Sequence, residues 1–157
     1  MTRTKTRTAA EIATLVIAIV LVVAPAASAR PAVGATTVPR GPCPLVKTPI
    51  ETVQHFSKRV IRCAAATWTV PGGAAKAICI AGRESGLVPS ARSASGLYLG
   101  LFQHSAHYWA SRYEAWTVPA WHLRTTALSG RTNTVVTFRM VNSLGGWAPA
   151  GWRVRGC

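Results

Sequence analysis

The chain has 157 residues, a formal net charge of +14 and four acidic residues, none of them aspartate. That length provides one compact domain with its own core and excludes two. So large a positive balance points to a polyanionic partner (nucleic acid, an acidic membrane, or a bacterial wall rich in carboxylate and phosphate), with solubility alone as the competing explanation.

At the N-terminus, Arg3, Lys5 and Arg7 precede an uncharged run from Ile12 to Ala24, and Ala27-Ser28-Ala29 follows it. This is the pattern of a secretory signal peptide cleaved after Ala29. The run falls short of the ~20 residues that span a bilayer, and no second apolar run of that length follows. Residues 1–29 are therefore expected to be removed and the remainder secreted, to the cell wall or beyond. The leader takes three of the 18 basic and one of the four acidic residues, so the remaining 128 residues carry +12.

All four cysteines, Cys43, Cys63, Cys79 and Cys157, lie after the leader, which suits two disulfides formed in an oxidising compartment. No C-x-x-C pair occurs, so neither a zinc site nor any other metal or cofactor is expected.

Residues 30–47, rich in proline and glycine, have no helical or strand period and read as a wall-spanning or flexible lead-in to a domain over 48–157. Thr48, Pro49 and Glu51 form a capping-box pattern, with Ile50, Val53, Phe56, Val60, Ile61 and Ala64 recurring on one helical face behind it. "TWTVPGG" at 67–73 breaks the chain, and a second, apolar helix over "AAKAICIAGRE" ends at Gly86. If these two helices form a hairpin turning near Val70 and Pro71, Cys63 and Cys79 lie at similar distances from the turn. That makes them plausible partners and leaves Cys43 for Cys157, although other connectivities are open.

A Ser/Gly-rich segment and an aromatic-rich stretch follow, then a helix over "RTNTVVTFRMVNSL" with only a rough amphipathic period. With no internal repeat and no sustained two-residue alternation, the predicted fold class is mainly α.

Glu84 falls in the last turn of the second helix, where the negative end of the helix dipole and apolar neighbours disfavour an ionised carboxylate. Both effects raise its pKa, as a general acid working near neutral pH requires. The alternative is an exposed glutamate paired with Arg83 or another cation. Context separates the two. The stretch "ESGLVPSARSASGLYLGLFQ" contains Glu84, Ser85, Pro89, Ser93, Gly96, Gly100, Leu101, Phe102 and Gln103. It resembles the catalytic signature of the lysozyme-like superfamily, specifically the soluble lytic transglycosylase type. Three residues, Leu97, Tyr98 and Leu99, separate the two glycines where that pattern has two, so a bulge or altered turn must absorb the extra one. The resemblance spans about 20 residues and is weaker in the tail, where Asn133 opens the last helix and Trp147 stands shortly before a proline.

The resemblance implies a lysozyme-like, mostly helical fold with Glu84 as catalytic acid and Ser93 and Gln103 in a glycan groove; Asn133 is carried as a further substrate-binding candidate. Sugar rings offer flat apolar faces, so Tyr98, Tyr108, Trp109 and Trp147 are candidate groove aromatics, with about half of the six tryptophans expected in the core. His104 and His107 read as partly exposed polar residues.

Most glycosidases use two carboxyl groups roughly 5–9 Å apart. Here Glu51 is assigned to the capping box, and Glu114 reads as a surface residue beside Arg112. A lytic transglycosylase needs only one, because the 6-hydroxyl of N-acetylmuramic acid attacks its own anomeric carbon. The expected activity is therefore cleavage of the MurNAc–GlcNAc bond of peptidoglycan. A hydrolytic lysozyme, or a weakly catalytic wall-binding or resuscitation-type factor, is the alternative. The expected partners are glycan strands and anionic wall polymers. The basic residues are dispersed without a helix-turn-helix, RNA-binding or basic amphipathic pattern, so no specific nucleic acid and no stable membrane insertion are expected, and the chain is expected to act as a monomer.

Overall fold

The computed structural model describes residues 41–153 and 155–157; the expected signal peptide lies outside them. The fold is mainly helical: α1 (Val53–Thr67), α2 (Gly73–Ser85), a two-residue antiparallel hairpin of β1 (Tyr98–Leu99) and β2 (His104–Ser105), α3 (Trp109–Trp116), a 3-10 turn (Pro119–Trp121) and α4 (Gly130–Ser143).

Helix α1 begins later than its sequence suggests. Thr52 is the N-cap, its Oγ1 accepting from His55 N at 3.1 Å. Residues 48–51 form a turn closed by Glu51 N donating to Thr48 O at 3.2 Å, and Ile50 is 96% exposed instead of lying on the buried face. Glu51 still accepts from Thr48 N at 3.4 Å, but it also takes Arg59 Nη1 at 2.9 Å and meets His55 Nδ1 at 2.7 Å. Those partners are one and two turns into α1, so the carboxylate is anchored along the helix side rather than at its mouth. The buried face of α1 is Ser57, Val60, Ile61 and Ala64, the i, i+3, i+4, i+7 stripe of an amphipathic helix.

Helix α2 ends where expected. Gly86 sits in the left-handed region at φ 62°, with its N–H on Gly82 O and that of Leu87 on Ala81 O. Helix α4 packs against both α1 and α3 and buries most of its residues, from Thr132 to Val141. That explains its weak period, since a helix covered on several sides needs no polar face. Against it, Phe102 and Phe138 meet edge to face at 6.4 Å, and Phe102 also contacts Trp147 and Trp152 at 6.2 Å.

Both disulfides join partners other than those the helical hairpin suggested: Cys43 to Cys63, and Cys79 to Cys157, each with Cα atoms 5.7 Å apart. Equal distance from the turn sets only the height of Cys63 and Cys79 along their helices. Rotation about each axis sets the partner, and each cysteine flanks its helix's buried stripe. The end of the proline-rich lead-in is accordingly tied down. Cys43 is buried, and Pro42 O accepts from Arg131 Nε at 2.8 Å. Among the described residues, no helix is long and apolar enough to cross a membrane.

Candidate functional site

The segment after α2 is held to the rest of the molecule at several points. Ser85 Oγ donates to Leu101 O at 2.7 Å, joining the end of α2 to the turn between β1 and β2. Pro89 seats against Gly130, the first residue of α4, where a Cβ would meet its ring at 2.9 Å. Ser93 Oγ accepts from Tyr98 N at 3.0 Å, and Gly96 N donates to Ser93 O at 2.9 Å, so these bonds close the turn that leads into β1.

Asn133 is the clamp beneath. Its Oδ1 accepts from Phe102 N at 2.9 Å, and its Nδ2 donates to Ala127 O at 2.9 Å and Leu99 O at 3.3 Å. Gly100, at φ 81°, lies so close to this amide and to Ala127 O that no side chain fits.

On this base sits a cleft of about 300 Å³ lined by Glu84, Tyr98, Gln103, Gly151 and Trp152. Glu84 is half-buried, and burial pushes its pKa above the usual carboxylate value. Among the described residues no hydrogen-bond or ion-pair partner holds its carboxylate. Arg83, its neighbour in sequence, is not paired with it. Gln103 takes a left-handed backbone (φ 48°) and donates from Nε2 to Gly100 O at 2.8 Å and Ala91 O at 3.4 Å. Its amide plane is thereby fixed, and its Oε1 has no partner among the described residues. A carboxylic acid and an oriented amide oxygen facing one hollow can deliver a proton and accept a hydroxyl or amide N–H.

Three of the expected site residues, Glu84, Gln103 and Tyr98, are thus brought together. The others are not. Ser93 is spent on the turn that leads into β1. Tyr108 is 55% exposed, its ring under the Arg112 guanidinium at 5.8 Å. Trp109 is buried with Nε1 donating to Thr125 O at 2.5 Å, so it belongs to the core. Asn133 is wholly buried with its amide used three times over. Trp147 is buried against Phe102 with Nε1 on Pro71 O at 2.8 Å; the little surface it keeps opens on a different hollow, beside Lys76, Arg153 and Arg155. An aromatic side chain on a short, tryptophan-rich chain packs inward unless the backbone holds it out, and residue type does not distinguish the two cases.

His104 also departs from expectation. It is fully buried, its ring edge-on to Trp109 and Trp152, and burial together with the neighbouring Arg112 charge lowers its pKa to about 3. His107 is exposed as expected.

Sequence reasoning missed Trp152, Gly151 and Arg112. Trp152 donates from Nε1 to Phe102 O at 2.8 Å and so brings the C-terminal tail over the cleft. The disulfide between Cys79 and Cys157 returns the tail to α2, and since tertiary structure decides that pairing, the sequence carried no signal for it.

Comparison with known proteins gives no matching family model, no matching curated protein and no matching solved structure.

Proposed function

We propose that this chain is a secreted, lysozyme-like peptidoglycan glycosidase with a single catalytic carboxyl group, Glu84, and that it acts as a lytic transglycosylase. The observation carrying this reading is the position of Glu84: half-buried, unpaired among the described residues, and facing a cleft with the fixed amide of Gln103. Among the described residues no second carboxylate side chain lines the cleft, which supports it further. Glu51 is engaged with Arg59 and His55, Glu114 is exposed on α3, and neither lines the cleft.

A one-carboxyl reaction balances without water. Glu84 gives its proton to the glycosidic oxygen as the bond to the anomeric carbon breaks, freeing a hydroxyl on the leaving sugar. The 6-hydroxyl of the same N-acetylmuramic acid then closes on that carbon, with the substrate's N-acetyl group stabilising the oxocarbenium-like centre. The hydroxyl proton passes to Glu84, which is restored. Tyr98, about half exposed, supplies an apolar face for a sugar ring on the cleft wall, and the buried Trp152 backs that wall from the core. The excess of basic side chains holds the protein to carboxylate- and phosphate-bearing wall polymers.

Mass spectrometry of digested sacculi is the test. Wild type is expected to release fragments with 1,6-anhydromuramyl ends, and Glu84→Gln to release them roughly a hundredfold to ten-thousandfold more slowly. Reducing muramyl ends would make the protein a hydrolase. Equal release by both proteins would remove Glu84 from the chemistry, and no release by either would leave a wall-binding protein.

A further inference from the structure

The Glu84 cleft does not end at Glu84. A second hollow of about 90 Å³ shares Tyr98, Gln103, Gly151 and Trp152 with it and adds Ser105, Ala150 and Arg112. Glu84 and Arg112 therefore line two adjoining hollows that share four wall residues.

Arg112 is placed there with care. It is half-buried on α3, and its Nη1 donates to His104 Nδ1 at 3.1 Å. An arginine only donates, so Nδ1 is the acceptor nitrogen and the proton of the neutral ring is on Nε2. That Nε2 lies 2.8 Å from Thr137 Oγ1, whose own hydrogen goes to Asn133 O at 2.8 Å. A buried, uncharged chain of hydrogen bonds thus runs from α4 to the guanidinium and fixes its direction.

Among the described residues the guanidinium has no counter-ion: it meets a neutral imidazole and the Tyr108 ring. The ion pairs among the described residues belong to Glu51, and burial alone shifts Glu84, with no contribution from an arginine. A guanidinium partly withdrawn from water, aimed by a neutral partner and left with spare N–H donors in a cleft, is built to receive a planar anion, and a carboxylate matches its fork.

We propose that Arg112 forms an anion-recognition subsite beside Glu84, taking a carboxylate carried by the glycan strand, with His104 as the residue that positions it. This rests on the glycosidase reading for the identity of the strand, and not for the presence of the subsite. Two sources offer that carboxylate: the stem peptide, or the lactyl group where the peptide has been removed.

Binding and turnover separate the subsite from the chemistry. In a Glu84→Gln background, calorimetry with soluble peptidoglycan strands is expected to show Arg112→Gln weakening binding about tenfold to a hundredfold. On the same strands with their carboxylates converted to amides, the two proteins are expected to bind alike. Arg112→Lys, which keeps the charge but not the fork, falls between them. Amidase-treated strands identify the source: loss of Arg112 dependence assigns the stem peptide, and its retention assigns the lactyl carboxylate. Equal weakening on charged and amidated strands, or none on either, would overturn the proposal. If the glycosidase reading fails, wild type releases no anhydro or reducing ends, whereas the Arg112 dependence of binding is unaffected.

Discussion

Two glutamates of this chain titrate in opposite directions. Burial raises the pKa of Glu51, but the hydrogen bonds from His55, Arg59 and Thr48 N and the Arg59 charge outweigh it and bring the net value down. Glu84 has burial and nothing to oppose it, so its pKa rises. A folded-state pKa above the unfolded one means that the folded protein binds the proton more tightly. That contribution to stability is complete below the unfolded pKa and is lost as pH rises through the folded one. Glu84→Gln, which cannot ionise, is therefore expected to melt with wild type in acid and to exceed it once pH passes the Glu84 pKa. Thermal melts across pH check this. A constant offset between the two proteins would show that the carboxylate is as well solvated folded as unfolded.

At the level of elements, the cleft depends on the junction between the hairpin and the start of α4. Asn133 lies one turn into α4 and holds three backbone groups from two other segments, Phe102 N, Leu99 O and Ala127 O. Asn133→Ala orphans these in a buried setting, at about 1–3 kcal/mol for each buried group left unsatisfied. With partial relaxation, a loss of about 2–4 kcal/mol in denaturant unfolding is expected. Asn133→Asp is a sharper probe, because it keeps the acceptor for Phe102 N while turning an oxygen toward two carbonyls. It should be destabilised as well, where a requirement for polarity alone would leave it stable.

Across the whole molecule, the two disulfides close loops of very different length. Cys43 and Cys63 are 20 residues apart, and Cys79 and Cys157 are 78 apart. In the chain-entropy account these are worth about 3 and about 4.5 kcal/mol. The longer one also returns the tail that carries Gly151 and Trp152 to the cleft. Replacing Cys79 and Cys157 by serine is expected to lower stability by more than the Cys43/Cys63 replacement does. If the proposed glycosidase reading holds, it should also raise KM for the glycan more than it lowers kcat, since it loosens a wall of the cleft rather than the proposed acid. Stability curves and steady-state kinetics on both double variants measure this, and equal effects would leave the tail without a special role.

Much of this was legible in the residues themselves. The spacing of apolar positions, Gly86 after the second helix and the Pro/Gly break before it fixed the helical class, the end of α2 and the place of Glu84 in its last turn, because these depend on contacts within a few residues. The start of α1 was misplaced because Thr48 and Thr52 both offer caps, and only packing exposes Ile50 and buries Ser57. The cysteine pairing, the burial of Asn133, His104, Trp109 and Trp147, and the arrival of Arg112 and Trp152 at the cleft were decided by tertiary structure. Each depends on how helices rotate against one another and on where a distant tail returns, and local periodicity carries no record of either.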